Sequence, residues 1–377
     1  MHTHRVRRPF SLLAIILLLS ACSGGHNAKP TTSTTSATTD HTDAKAHSQR
    51  VLDDVIEAGA PGCSAAVGIK GQVVWTGVRG VADISTGNPI TAHTVFDIAS
   101  VSKQFTATAL LLLVHGGKLA LTDPLSRYVP ELPTWAITVT VGQLMHQTSG
   151  IPEYVGLLEA QGFELSDRTT EDQALQALVG VPKLEFQPGS RFEYSNSNYL
   201  LLGEIVRRVS REPLPQFLTE QIFHPLGVTM VVDPTGPIPG KAMAYEKGST
   251  GYRATTSGWE QVGDGAIQTT PSELVNWADN YRTGRLGGSD LLNAQLSGAV
   301  PTEPGGADRY GAGIYLLGNG MLDHDGAWGD SSRRSVSART ERRPWRSAAI
   351  PTSKTRRRSP IAWRNSGCSP LRLGVDR

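Results

Sequence analysis

Between Phe105 and Val114 the chain carries its most apolar segment outside the extreme N-terminus, preceded by Ser100 and closed by Gly116-Gly117. A helix that is apolar nearly all round has no face to give to water, so it must lie inside the domain with other elements around it. The rest of the chain supplies those elements. Cys63 to Ile69 and Val73 to Val78 are apolar runs separated by Lys70-Gly71-Gln72, which predicts a β-hairpin. Val51, Leu52, Val55 and Ile56 recur at helical spacing before it and stop at Gly59. From Asp123 to about Gly258 helix signals alternate with Pro/Gly turns, and Thr270-Pro271-Ser272-Glu273 opens a capped helix running to about Tyr281. Late strands are predicted at Tyr310 to Leu317 and Met321 to Ala327. Early strands, a helical middle and late strands predict an α+β domain whose antiparallel sheet joins both chain ends around a large helical region.

The two termini differ from this domain. Arg5, Arg7 and Arg8 precede Leu12 to Leu19, an apolar run too short to span a bilayer, as in an export signal. Leu19-Ser20-Ala21-Cys22 follows and resembles the bacterial lipobox, which implies lipidation of Cys22. Arg7-Arg8-Pro9-Phe10 is also similar to a twin-arginine signal, so the export route stays open. The expected organisation is a signal peptide over 1–21, a Ser/Thr-rich tether over 22–42, a domain over 43–329 and a tail over 330–377. The expected location is the extracytoplasmic face of the cell membrane, held by a lipid anchor. With Cys22 as the lipid site, Cys63 and Cys368 imply no disulfide framework, and Cys63 reads as a small core residue.

The formal charge of +2 hides a split: residues 331–377 hold twelve Arg and one Lys against Glu341 and Asp376, a balance of +11, which leaves −9 for residues 1–330. The tail shows neither two-residue nor helical periodicity, and its charge opposes compaction. A reading-frame shift in a GC-rich gene produces an Arg/Ser/Pro-rich ending of this kind. The expectation is a disordered or frame-shifted tail, with the C-terminal strands missing and the strand that carries His324 left as an unpaired edge; the alternative is an unusual ending that still pairs as strands.

The chemistry gathers at Ser100-Val101-Ser102-Lys103, where a three-residue spacing puts hydroxyl and amine on one helix face. An amine held against an apolar helix is disfavoured as a cation and can help to activate the hydroxyl. A phenol at Tyr194 can relay a proton if a lysine cation lowers its pKa, and the amide of Asn196 can hold a substrate amide. His146 reads as a turn-stabilising residue, and Gly263-Asp264-Gly265 resembles the glycine-rich active-site loop of the family to which the blocks below are similar. Metal-ligand and phosphate-cradling motifs are missing from the sequence, and no metal or organic cofactor is implied.

Phe96-Asp97-Ile98-Ala99-Ser100-Val101-Ser102-Lys103 closely resembles the nucleophile segment of the β-lactamase-related serine hydrolases, which include class C β-lactamases, D-alanyl-D-alanine carboxypeptidases and related esterases. Further blocks are similar to that family in its own order: Leu121-Thr122-Asp123-Pro124, His146-Gln147-Thr148-Ser149-Gly150, Tyr194-Ser195-Asn196 and His324-Asp325-Gly326. The resemblance covers about Pro61 to Gly329 and implies a β-lactamase/transpeptidase-like fold. It also implies that Ser100 is the nucleophile and that Tyr194, beside Lys103, acts as base and then acid. By the same resemblance the backbone N–H groups of Ser100 and Ala327 form the oxyanion hole, Gly326 lets the backbone approach the substrate, and His324 faces a substrate carboxylate.

The expected function is an exported serine hydrolase that forms an acyl-enzyme with D-alanyl peptides, β-lactams or small esters and amides. Histidine rather than lysine at 324 weighs against a dedicated β-lactamase. The rival readings are a non-catalytic peptidoglycan-binding envelope lipoprotein and an inactive product of a frame-shifted gene. The expected partners are a small-molecule or peptidoglycan-peptide substrate and the membrane, through Cys22, with no nucleic acid.

Overall fold

Lys70 and Gly71 both take positive φ, 53° and 77°, which suits the tight turn that lets two strands follow the native twist. They join β1 (Cys63–Ile69) to β2 (Gln72–Arg79), with Ile69 opposite Gln72. The computed structural model describes residues 36–327, 336–341 and 361–364. Before the hairpin lies α1 (Ser36–Val55), which starts inside the stretch expected to be a tether up to residue 42. No Pro or Gly interrupts that stretch from Ser36 onward, so its Ser/Thr content lowers helix propensity without blocking a helix. The chain divides into two units between Asp43 and Ala44.

After the hairpin come β3 (Phe96–Asp97), α2 (Lys103–His115), α3 (Tyr154–Ala160), α4 (Asn196–Ser210), β4 (Ile267–Thr269) and α5 (Pro271–Ala278). Every residue from Lys103 to Leu111 is buried, as the apolar run requires. The polar members are hydrogen-bonded: Thr106 donates to the Gly263 carbonyl at 2.7 Å, and Gln104 Oε1 accepts from Trp277 and Tyr281. The Thr270 side chain caps α5 by accepting the Glu273 N–H at 3.3 Å, whereas the Glu273 carboxylate accepts from Thr229 N–H, so the expected box is half formed. A Cβ on Gly68 would lie 2.2 Å from Val275 Cγ1; glycine there, at a bulge in β1, lets α5 lie on the sheet.

The late strands are β5 (Val300–Pro301), β6 (Arg309–Tyr310), β7 (Tyr315–Leu316) and β8 (Met321–His324). The single run expected over 310–317 is thus split. Gly311, Ala312 and Gly313 make the turn, and Gly313, at φ 72°, presses onto α2 so closely that a Cβ would sit 2.5 Å from the Lys103 carbonyl.

The expectation of missing C-terminal strands does not hold for the sheet. Two more strands, β9 (Val336–Glu341) and β10 (Ile361–Arg364), follow β8, and all eight strands pair antiparallel in the order β5-β6-β7-β8-β9-β10-β1-β2. His324 lies opposite Ala338, and Cys63 opposite Arg364, so the strand that carries His324 is paired on both sides. Strands of six and four residues free of Pro and Gly can pair through the backbone yet are too short to leave a two-residue rhythm in sequence. The rest of the expected tail, like the signal peptide and Cys22, lies outside the described residues.

Candidate active site

The nucleophile turn grows out of β3, which pairs with β4 (Phe96 opposite Thr269). Ile98 N–H still donates to the Ile267 carbonyl at 2.9 Å, and then Ala99 swings to φ 44°. A non-glycine residue there is strained by about 1–3 kcal/mol. Asp97 offsets part of this by accepting the Ala99 N–H at 2.8 Å, and Ser102 Oγ accepts the Ile267 N–H at 3.2 Å. The bend puts Ser100, half-buried, on a 3-10 turn leading straight into α2.

Lys103, one turn on, is fully buried. Its amine reaches Ser100 Oγ at 3.0 Å, Asn196 Oδ1 at 2.7 Å and the Asp264 carbonyl at 2.7 Å. Burial pulls its pKa down to about 8, and the carboxylates of Asp264, Glu153 and Asp325 work against that fall. Tyr194 is partly buried, with Lys103 Nζ 5.0 Å from its ring centroid and a hydrogen bond between its hydroxyl and Ser100. Burial raises the phenol well above its ordinary value. This corrects the expectation that the lysine cation lowers it: Tyr194 is a neutral phenol, and the amine is the stronger candidate base. Asn196 starts α4; with its Oδ1 held by Lys103, its NH2 is the group able to meet a substrate carbonyl.

His324 differs from its expected role. It is 1% exposed, so it cannot face a substrate carboxylate as a cation. Its Nδ1 lies 2.6 Å from the Asp325 carbonyl, which can only accept, so Nδ1 carries the proton and Nε2 accepts from Tyr310 Oη at 3.2 Å. Burial, with the Lys103 charge adding to it, pulls its pKa to about 3 and keeps it neutral. Gly326, two residues on, is where a Cβ would sit 2.5 Å from the Ile98 carbonyl and 3.0 Å from Ser100 N. Only glycine lets the chain just after β8 lie against the nucleophile turn, and the exposed Ala327 follows it in sequence. His146 hydrogen-bonds the backbone at Tyr310 and Gly311, away from the nucleophile.

Sequence reasoning missed Glu153 and Tyr154, and in the loop it singled out it missed the part played by Asp264. Glu153 Oε2 accepts the Asn196 N–H at 2.6 Å, and Tyr154 Oη donates to Asp264 Oδ2 at 3.1 Å. Neither contact has a local signal, because the partners are 43 and 110 residues apart. A cavity of about 320 Å³ adjoins the nucleophile turn, with Asp97, Ala99, Gly265, Met243 and Trp259 in its wall.

An antiparallel sheet with a serine on a strained turn at the head of a buried helix, and a desolvated lysine touching that serine, defines the active-serine class built on the β-lactamase/transpeptidase-like fold. The chain belongs to the β-lactamase-related serine hydrolase family: the family described as Beta-lactamase matches residues 43–338. It is similar to Protein flp of Staphylococcus aureus strain COL, 32% identical over 191 residues, and to a D-aminopeptidase of Brucella anthropi, 28% identical over 272 residues. These alignments cover 48% and 71% of this chain but 38% and 52% of those proteins, so the chain spans about half or less of their length. Among solved structures it resembles D-amino acid amidase from Ochrobactrum anthropi SV3 at 26% identity, with a TM-score of 0.64 over 76% of this chain and 88% of that one.

Proposed function

We propose that the chain is an exported, lipid-anchored serine hydrolase that cleaves small amides and esters, with amides of D-amino acids as its preferred class. The observation that carries the hydrolase reading is the buried Lys103 amine 3.0 Å from Ser100 Oγ. In its neutral form the amine takes the Ser100 proton while Oγ bonds to the substrate carbonyl carbon, and the carbonyl electron pair moves onto oxygen. The N–H groups of Ser100 and Ala327 receive that oxyanion. As the pair returns, the bond to the leaving group breaks, and the leaving group takes its proton from Tyr194, which regains one from Lys103. Water then attacks the acyl-enzyme, passes its proton back along the same groups and releases the acid and Ser100.

Three features support amides over β-lactams: a neutral, buried His324, carboxylates around Lys103, and relatives named for D-amino-acid chemistry. A panel of D-alanine p-nitroanilide, its L-isomer, p-nitrophenyl acetate and a chromogenic cephalosporin tests the choice. The D-anilide is expected to turn over fastest; fastest turnover of the cephalosporin would overturn it. The anchor rests on Leu19-Ser20-Ala21-Cys22. Cys22→Ser should move the protein to the soluble fraction, because each buried methylene of an acyl chain adds to membrane binding; continued membrane association would sink that part.

A further inference from the structure

Tyr194 stands on chain without regular structure: Phe192 to Ser195 belong to neither helix nor strand, and α4 begins only at Asn196. A phenol that must meet Ser100 therefore needs something other than a helix or a sheet ladder to hold it. Gln147 supplies that hold. Its main-chain carbonyl accepts the Glu193 N–H at 2.9 Å, and its side-chain Oε1 accepts the Ser195 N–H at 3.0 Å, so one residue grips the backbone on both sides of the tyrosine. The same Oε1 accepts from the Asn198 amide, whose own oxygen accepts the Ser149 hydroxyl. The next residues of the turn bind the approach to the tyrosine. The Thr148 carbonyl accepts the Gly189 N–H at 2.7 Å, and the Gly150 carbonyl accepts the Glu185 N–H at 2.8 Å.

Gln147 is wholly buried and sits at φ 59°, in the left-handed region where a residue with a side chain is strained. Glycine would take that backbone without steric cost, yet it would leave the Ser195 N–H and the Asn198 amide, on two buried residues, without their acceptor. We propose that Gln147 is the positioning residue of Tyr194, clamping the chain before and after the tyrosine so that its hydroxyl meets Ser100 and the leaving group. The proposal rests on the serine-hydrolase reading given above. The Tyr194 ring lies 5.0 Å from the Lys103 amine and meets the Tyr310 ring edge-on at 6.2 Å, so a slip of its segment moves the hydroxyl relative to both serine and amine. The step that most needs the phenol in place is protonation of the leaving group. An anilide nitrogen must receive a proton as its bond breaks, whereas p-nitrophenolate departs as a stable anion. A residue with only a structural role would lower turnover of both in proportion to the folded protein and leave their ratio unchanged.

The test compares the full-length parent with Gln147→Met, which fills the space but offers no acceptor, and with Gln147→Gly. The glycine variant keeps the main-chain carbonyl and relieves the strain at φ 59°, so it stays folded where the methionine variant does not. Two readings are taken: kcat/KM for the p-nitroanilide and the p-nitrophenyl ester of D-alanine, which share one acyl group, and the 13Cε resonance of Tyr194 in tyrosine-labelled protein, assigned with Tyr194→Phe. Loss of the side-chain acceptor should lower the anilide-to-ester ratio by about tenfold or more, within what a positioned general acid contributes, and should shift the Tyr194 resonance. In a Tyr194→Phe background the same substitution should change the ratio by less than about twofold, because the group it positions is gone. A proportionate loss on both substrates, or an unmoved Tyr194 resonance in folded Gln147→Gly, overturns the proposal. The resonance needs no turnover, so a shifted Tyr194 in a protein whose parent hydrolyses neither substrate would refute the hydrolase reading and leave the positioning role standing.

Discussion

Lys103 shows how burial makes a base. In the unfolded chain its amine titrates at the ordinary 10.5, and in the folded site at about 8. Between these values the unfolded state holds a proton that the folded state has lost, so folding is opposed most below about pH 8, and the opposition fades toward pH 10.5. At neutral pH the cost is on the order of 3 kcal/mol, from about 1.4 kcal/mol per unit. Ala99, held at φ 44° just before the nucleophile, adds strain of its own. Replacing Lys103 with Met should abolish hydrolysis, and the difference in melting temperature should move in the parent's favour as the pH rises from 7 to about 10. A difference that stays constant across that range would contradict a desolvated lysine. Ser100 and Lys103 were legible in sequence because three residues on one helix fix their contact, whatever the rest of the chain does. Asp264 and Glu153 were not, since a carboxylate beside a turn is ordinary until the fold brings it to the Tyr154 hydroxyl or the Asn196 N–H.

Among the elements, the end of β8 decides whether the serine has a place to work. Gly326 lets that strand touch the nucleophile turn, and an added methyl would have to displace backbone at Ile98 and Ser100. Gly326→Ala should therefore lower kcat/KM by about a hundredfold, the scale on which misplacement by an ångström is felt. A near-normal rate in this variant would mean that the strand end does not position the reaction. Its two-residue turn and apolar runs made the β1–β2 hairpin readable, and the apolar character of Phe105 to Val114 made α2 readable. Two features were not readable. The break between β6 and β7 depends on Gly313 meeting the Lys103 carbonyl, a contact between distant parts of the chain. The neutrality of His324 depends on its burial beside Tyr310 rather than on the His-Asp-Gly pattern.

In the molecule as a whole, the sheet that carries the site is closed from both chain ends, with β9 and β10 standing between β8 and β1. Compositional reading placed both ends in one sheet but dismissed the tail, because its charge hid two short strands that pair through their backbones. Ending the chain at residue 329 removes both strands from the middle of the sheet and separates its two halves. That truncation should lose the cooperative thermal transition of the full chain and its hydrolysis together; an equally cooperative, active truncation would show that the sheet does not need them. The central claim is that acyl transfer runs through Ser100, and trapping the intermediate tests it most directly. Full-length protein quenched in acid during p-nitrophenyl acetate turnover, digested and weighed by mass spectrometry should carry one acetyl group, on Ser100, and Ser100→Ala should neither acquire it nor turn over. Steady turnover with Ser100 unmodified, or turnover that survives in Ser100→Ala, would contradict the account.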